Sequence, residues 1–358
     1  MNARYQLLVL IIAIIAIHSC KKQTELTSTN QIVNNEIISA PPGGNYWQTS
    51  APFITPRTGT ASFVINGKGY VFGGYINNSY KRDLWEYNPL SNVWAQKASL
   101  PAGVKGRMHV ATFVINNKGY IVGGALGPLD GFETNETWEY DPLNDSWLQR
   151  SGIPVAREFA TGFAINGKGY IAMGLTVPAG IYLNDVLEYD PVANTWITKS
   201  NLTAPGQNLS RAKPISFVIN NKAYIGTGHR INPGDIAYFK DLWEYDPSAN
   251  TWIQKANFPP GERSTAVGFA SSTTGYVGTG LQYFFGQPVW MKDFWMYRPL
   301  TNTWTQLPDF PGYGRNQATG FFVGNRGYIG LGYSPDTYFS NDFYRYNPAT
   351  SIINPSVN

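Results

Sequence analysis

The sequence predicts an all-β protein made of six copies of one four-stranded unit. Three recurring features carry that expectation. A phrase of the type Gly-Tyr-x-x-Gly-Gly stands at 69–74 and 119–124, at 169–174 with Met173 for the first closing Gly, then in looser form at 223–228, 275–280 and 327–332. A second phrase, WEYNP at 85–89, returns as WEYDP (138–142 and 243–247), LEYDP (187–191), WMYRP (295–299) and YRYNP (344–348). A lone Trp follows five of these copies, at Trp94, Trp147, Trp196, Trp252 and Trp304, and one more stands early, at Trp47.

Each unit reads as four strands in fixed order. Strand a is apolar, as in Ala111–Asn116 (ATFVIN). An Asn-Gly or Asn-Asn pair follows, a strong signal for a two-residue hairpin turn. Strand b is the Gly-Tyr phrase, a variable loop follows it, and strand c is the WEYDP phrase. A short turn holding Pro and Asn leads to strand d with its Trp. Composition agrees: 37 Gly, 15% aromatic residues and only 14% charged residues suit short strands and tight turns. With a net charge of +4 and no basic tract, nucleic acid is not expected as a partner.

The copies are 49–56 residues apart, a period that repeat architectures of the propeller kind use. On the double-Gly, WEYDP and Trp phrases the chain resembles the kelch β-propeller family, over about residues 45–350. The resemblance implies a six-bladed ring. The last copy lacks its own Trp strand, and the first Trp strand has no repeat before it. Tyr46–Thr49 is therefore expected to supply strand d of the sixth blade and close the ring, which leaves no open sheet edge. Ser351–Asn354 is the weaker candidate for the same place.

The N-terminus reads as a processing segment. Arg4 precedes an apolar run of 11 residues, Leu7–Ile17, too short to span a bilayer as a stable helix. Ile17-His18-Ser19-Cys20 follows and resembles the lipobox of bacterial lipoproteins. The resemblance implies cleavage before Cys20, lipidation of that residue and anchoring at a bacterial cell envelope, in the outer membrane. An ordinary secretory signal is the alternative. Cys20 is the only cysteine, so no disulfide forms within the chain. The expected organisation is a signal peptide over 1–19, the lipidated Cys20 with a polar tether over 20–44, and the propeller over 45–358, acting as a monomer.

Strand order gives the functional face. In a four-stranded antiparallel blade the a–b and c–d turns lie on one face of the ring, and here they are short. The b–c and d–a connections lie on the other face, and here they are long and dissimilar. Variable loops on a rigid frame are the usual seat of recognition. A protein or glycan partner is expected there. Tyr182, Tyr238, Tyr283 and Trp290, all in b–c loops, are candidates for contacting it. Every strand a is preceded by an Arg: Arg57, Arg107, Arg157, Arg211, Arg263 and Arg315. Acids recur once per blade too, at Asp83, Glu136, Asp185, Asp241, Asp293 and Asp342. The arginines either ring the channel mouth as ligand contacts or pair with these acids as a structural belt.

An enzyme reading meets few candidates. The copper chemistry of galactose-oxidase-type propellers would need Tyr, His and a Tyr–Cys link. Beyond the signal segment only His109 and His229 remain, and no cofactor or metal is expected. The bacterial sialic-acid mutarotases (N-acetylneuraminate epimerases), six-bladed kelch propellers of the periplasm, remain the enzyme alternative. Mutarotation needs only an acid and a base beside a bound carboxylate. Arg107 with His109, Arg157 with Glu158, or Arg263 with Glu262 would supply those parts. His109 is otherwise a hydrogen-bonded channel residue, and His229, opening a b–c loop, is expected to face solvent. The leading expectation is a non-catalytic, membrane-anchored binding protein.

Overall fold

A computed structural model describes residues 46–127, 129–177, 179–284 and 286–348, together with two dipeptide strands, Ile32–Val33 and Glu36–Ile37, that pair with each other. The signal segment, Cys20 and Ser351–Asn354 lie outside the described residues. Residues 45–348 form one unit.

That unit is a ring of six antiparallel four-stranded sheets, each in the order a-b-c-d. Blade 2 is representative, with strands Ala111–Ile115, Lys118–Val122, Thr137–Asp141 and Ser146–Arg150. The two-residue turn between its strands a and b has Asn116 and Asn117 at φ 50° and 58°, as a type I′ hairpin requires. The ring closes as the sequence implies. Trp47–Ser50 is the outer strand of blade 6 and pairs with Phe343–Tyr346, in the register Trp47 to Tyr346 and Ser50 to Phe343. Its indole N–H donates to Pro308 O of blade 5 at 3.0 Å.

The repeated side chains tie blade to blade. Trp94, Trp147, Trp196, Trp252 and Trp304 each donate an indole N–H to a backbone carbonyl beyond the preceding blade's strand d, at 2.7–3.0 Å. The Tyr of each WEYDP-type phrase is almost fully buried and packs between neighbouring sheets, within 4.8–5.1 Å of its own blade's Trp in blades 1 to 5. Burying rings of this size is the main apolar gain available to so thin a layer.

The second residue of each Gly pair has a stricter task than the first. Its amide donates to the carbonyl of the next blade's repeated Arg, in all six blades, at 2.7–2.9 Å. It sits at φ 92–106°, and a Cβ there would approach a backbone carbonyl to 2.6–2.8 Å. Only glycine fits, and all six copies have it. The first position also has positive φ, yet Met173, Thr227, Thr279 and Leu331 occupy it in the later blades. That is why the phrase loosens at one letter and not at the other.

The long b–c connections are more ordered than variable loops need be. In five blades each forms a small two-stranded hairpin, for example His229–Asn232 with Asp235–Tyr238. In blade 3 strands b and c simply run on, as Lys168–Thr176 and Ile181–Asp190, past a bulge between Ala172 and Gly174. The long-loop face thus carries six flaps.

Candidate functional site

The six repeated arginines are not free at the mouth. Each is 3% exposed or less and pairs with the acid of its own blade at 2.5–2.8 Å. Five of them also donate to a carbonyl at the end of strand b, as Arg211 does to Thr227 O at 3.1 Å. Of the two arrangements open in the sequence, the belt is the one present. The geometry forces it: with the Arg carbonyl held by the preceding blade's Gly amide, the side chain turns into its own sheet. In five blades the Arg fork is bound at both tips to one carboxylate, which occupies its ligand-facing edge, whereas Arg107 meets Glu136 through Nη2 alone.

The residue after each Arg bridges to the first residue of the flap, as Glu158 does to Leu175 and Ala212 to His229. The residue after that turns into the channel. These six positions are Gly59, His109, Phe159, Lys213, Thr265 and Gln317, different in every blade, and all at φ 49–65°. For the five that are not glycine this left-handed backbone costs on the order of 1 kcal/mol each. A chain of backbone bonds around the mouth sustains it: His109 N to Gly59 O (2.9 Å), Phe159 N to His109 O (3.1 Å), Lys213 N to Phe159 O (3.0 Å) and Gln317 N to Thr265 O (3.2 Å). Together these side chains line a cavity of about 160 Å³, which lies above a central channel of about 510 Å³ walled by the six a strands.

Within the mouth the side chains form one polar cluster. His109 Nδ1 lies 2.9 Å from Glu158 Oε2, and its Nε2 lies 2.9 Å from Gln317 Oε1 across the ring. Gly59 makes that reach possible, since a Cβ there would meet the imidazole at 2.9 Å. The imidazole also stacks on Phe159, with 3.7 Å between ring centres. Burial pushes His109 below the ordinary histidine range, against the pull of Glu158. A neutral ring donates Nδ1–H to Glu158 and accepts at Nε2, which asks Gln317 to present its amide nitrogen.

Lys213 stands opposite the acid. Its ammonium lies 4.0 Å from the centre of the Phe159 ring and makes no ion pair among the described residues. Burial lowers its pKa to about 8, with Glu158 acting the other way.

The candidate residues from sequence are thus sorted differently in space. Pairing by sequence neighbour fails: Arg107 and Arg157 turn to Glu136 and Asp185, while His109 and Glu158, from adjacent blades, meet each other. Arg263 likewise turns to Asp293, and Glu262 is exposed outside the cavity lining. His229 does not face solvent freely. Its Nδ1 lies 2.7 Å from Ser264 Oγ, its ring sits about 6 Å from those of Tyr182 and Tyr238, and burial lowers its pKa to about 3. Tyr238 stacks on Tyr283 at 4.6 Å, and Trp290 leans on Tyr333 at 6.3 Å. Tyr182, Tyr238, Tyr283 and Trp290 are half-buried along the flaps of blades 3 to 5. Phe159, Lys213 and Gln317 escaped the sequence reading. Their signal is positional: two residues after the repeated Arg stands a letter that differs in all six copies. Among the described residues no cluster of His, Cys, Asp and Glu is placed to hold a metal ion.

Comparison with known proteins agrees with this architecture. A family model for the KLHDC2/KLHL20/DRC7 kelch-repeats domain matches residues 44–174. N-acetylneuraminate epimerase of Haemophilus influenzae is 37% identical over 133 residues, which are 37% of this chain and 33% of the relative. Kelch-like protein 24 of Rattus norvegicus is 31% identical over 148 residues, 30% of this chain and 24% of the relative. The chain therefore spans a third or less of the length of these curated relatives. The solved structure titled "Structure of YjhT" superimposes with a TM-score of 0.68 at 16% identity, over 82% of this chain and 95% of that one, a likeness of fold. Six sheets, six copies of the repeat and one closing strand make the protein a six-bladed β-propeller, whose residues 44–174 match a kelch-repeat model.

Proposed function

We propose that the protein is a recognition propeller that binds a small anionic ligand, an acidic sugar in the first instance, at the channel mouth on its long-loop face. Lys213 carries this reading. It is a half-buried cation in a cavity of about 160 Å³, and among the described residues no carboxylate forms an ion pair with it. A ligand carboxylate would complete the pair that the protein leaves open. Gln317 and Thr265 line the same cavity and offer polar atoms to hydroxyls. The stacked Tyr238 and Tyr283 on the flaps add ring faces for a sugar or a larger partner. The relative named for N-acetylneuraminate, a carboxylated sugar, supports this choice of ligand class.

The test is titration calorimetry of the protein with N-acetylneuraminate and with its methyl ester. A hydrogen bond to a charged group contributes about 1.5–3 kcal/mol, so Lys213→Met should weaken the acid about 10- to 100-fold and leave the ester unchanged. Equal binding of acid and ester by the unaltered protein would sink the reading.

One observation favours a catalytic alternative of the epimerase or mutarotase type. The His109–Glu158 pair, 2.9 Å apart, is an acid–base couple at the edge of the same cavity. It predicts faster anomer exchange of the bound sugar by NMR, lost in His109→Ala.

The lipobox-like Ile17–Cys20 supports attachment to a bacterial envelope by acylation at Cys20. Palmitate analogue labelling in a bacterial host should mark the protein, and Cys20→Ala should abolish the label. One acyl chain binds membranes only reversibly, so stable anchoring needs more than one.

A further inference from the structure

We propose that Lys213 is a nucleophilic amine that condenses with small carbonyl compounds entering the channel mouth to form an imine. This shares the mouth with the binding reading above but does not depend on it.

Four features of its setting point there. The side chain ends in a cavity large enough for a molecule of a few heavy atoms and too small for most of the protein's own loops. The Phe159 ring covers one side of the ammonium, with 4.0 Å between the nitrogen and the ring centre. Among the described residues no carboxylate ion-pairs with the amine and holds it as a cation. Its main chain is fixed at both ends: Lys213 N donates to Phe159 O, φ is 57°, and Pro214 follows. A residue before proline is normally extended, so this backbone is imposed by the ring of mouth bonds and aims the side chain inward.

The charged and titratable groups facing it are few. Glu158 attracts the ammonium; His109 and His229 would repel it only if protonated, and burial holds both below the ordinary histidine range. With burial lowering the amine to about 8, on the order of a tenth is unprotonated at neutral pH, against roughly one part in two thousand for an ordinary lysine. Desolvated lysines are the ones that serve as amine nucleophiles.

The step balances without a further reactant. The Nζ lone pair attacks the carbonyl carbon, a C–N bond forms, and the carbonyl π pair moves to oxygen and takes up a proton. The carbinolamine then loses that oxygen as water, and the amine nitrogen gives up its protons to leave C=N. Amine and carbonyl become imine and one water.

The experiment uses the full-length protein with propanal and, separately, glyoxylate, in the presence of cyanoborohydride, which reduces an imine to a stable secondary amine. Peptide mass mapping then gives the rate at each lysine. Lys213 is expected to label at least tenfold faster at pH 7 than Lys105, whose side chain is 60% exposed. Its rate should level off above about pH 8, while that of Lys105 should keep rising. Labelling of Lys213 no faster than Lys105 with both aldehydes, or a Lys213 rate still climbing through pH 10, would overturn the proposal. Labelling by propanal but not glyoxylate would uphold it and count against the anion site. Lys213→Arg should lose the preferential trapping.

Discussion

Deleting residues 46–50 is expected to open the ring and cost the protein its cooperative fold. The deletion removes strand d of blade 6. With it go the pairing to Phe343–Tyr346, the indole bond to Pro308 O, and the packing of Trp47 on Phe294 and Phe310 at 5.1 and 5.5 Å. Trp47→Ala alone should cost about 3 kcal/mol, the low end for Trp truncation, because Trp47 is only half-buried. The deletion does more, since it leaves the backbone edge of strand c unpaired and open to a second chain. The melt should broaden and fall well below that of Trp47→Phe, which keeps the strand and loses only the N–H. Size-exclusion chromatography should show association. A deletion variant that melts and elutes like the unaltered protein would mean the ring is closed by other means.

The second large effect concerns the belt. Arg211→Ala should destabilise by about 3–5 kcal/mol, because it leaves Asp241, only 13% exposed, without its partner. In a domain of this size that lowers the melting temperature by roughly 10 °C. Asp241→Ala should be at least as harmful, since Asp241 also accepts the Trp243 indole N–H at 2.7 Å. The Lys105–Asp130 pair is the contrast. Its partners are 60% and 34% exposed, so Lys105→Ala should cost under about 1 kcal/mol. Thermal denaturation of the three variants side by side decides the matter. If Arg211→Ala matches Lys105→Ala, the arginines do not hold the blades.

Blade number, strand order and ring closure were legible in the letters, because each depends on local and periodic chemistry. A type I′ turn needs Asn or Gly, a sheet edge needs a partner, and a Trp missing from one end reappears at the other. The invariant second Gly follows the same logic, since one backbone contact in each blade forbids any Cβ there. The belt was half legible: equal numbers of repeated Arg and acid pointed to pairing, but sequence distance does not tell which way a side chain turns.

The channel mouth was hardly legible at all. Its six residues lie on six blades, 50–54 residues apart in sequence, and only closure of the ring brings Gln317 next to His109. Glu158 reads from the chain as the neighbour of Arg157, yet its flap bridge and its place in the ring turn it to His109 instead. The lowered pKa of Lys213 arises from burial beside Phe159, a property of the assembled mouth and of no single repeat. Repetition within the chain therefore specifies the frame, because each blade solves the same packing problem. Convergence of the odd residues specifies the site, because charge and burial at the mouth exist only once all six blades meet.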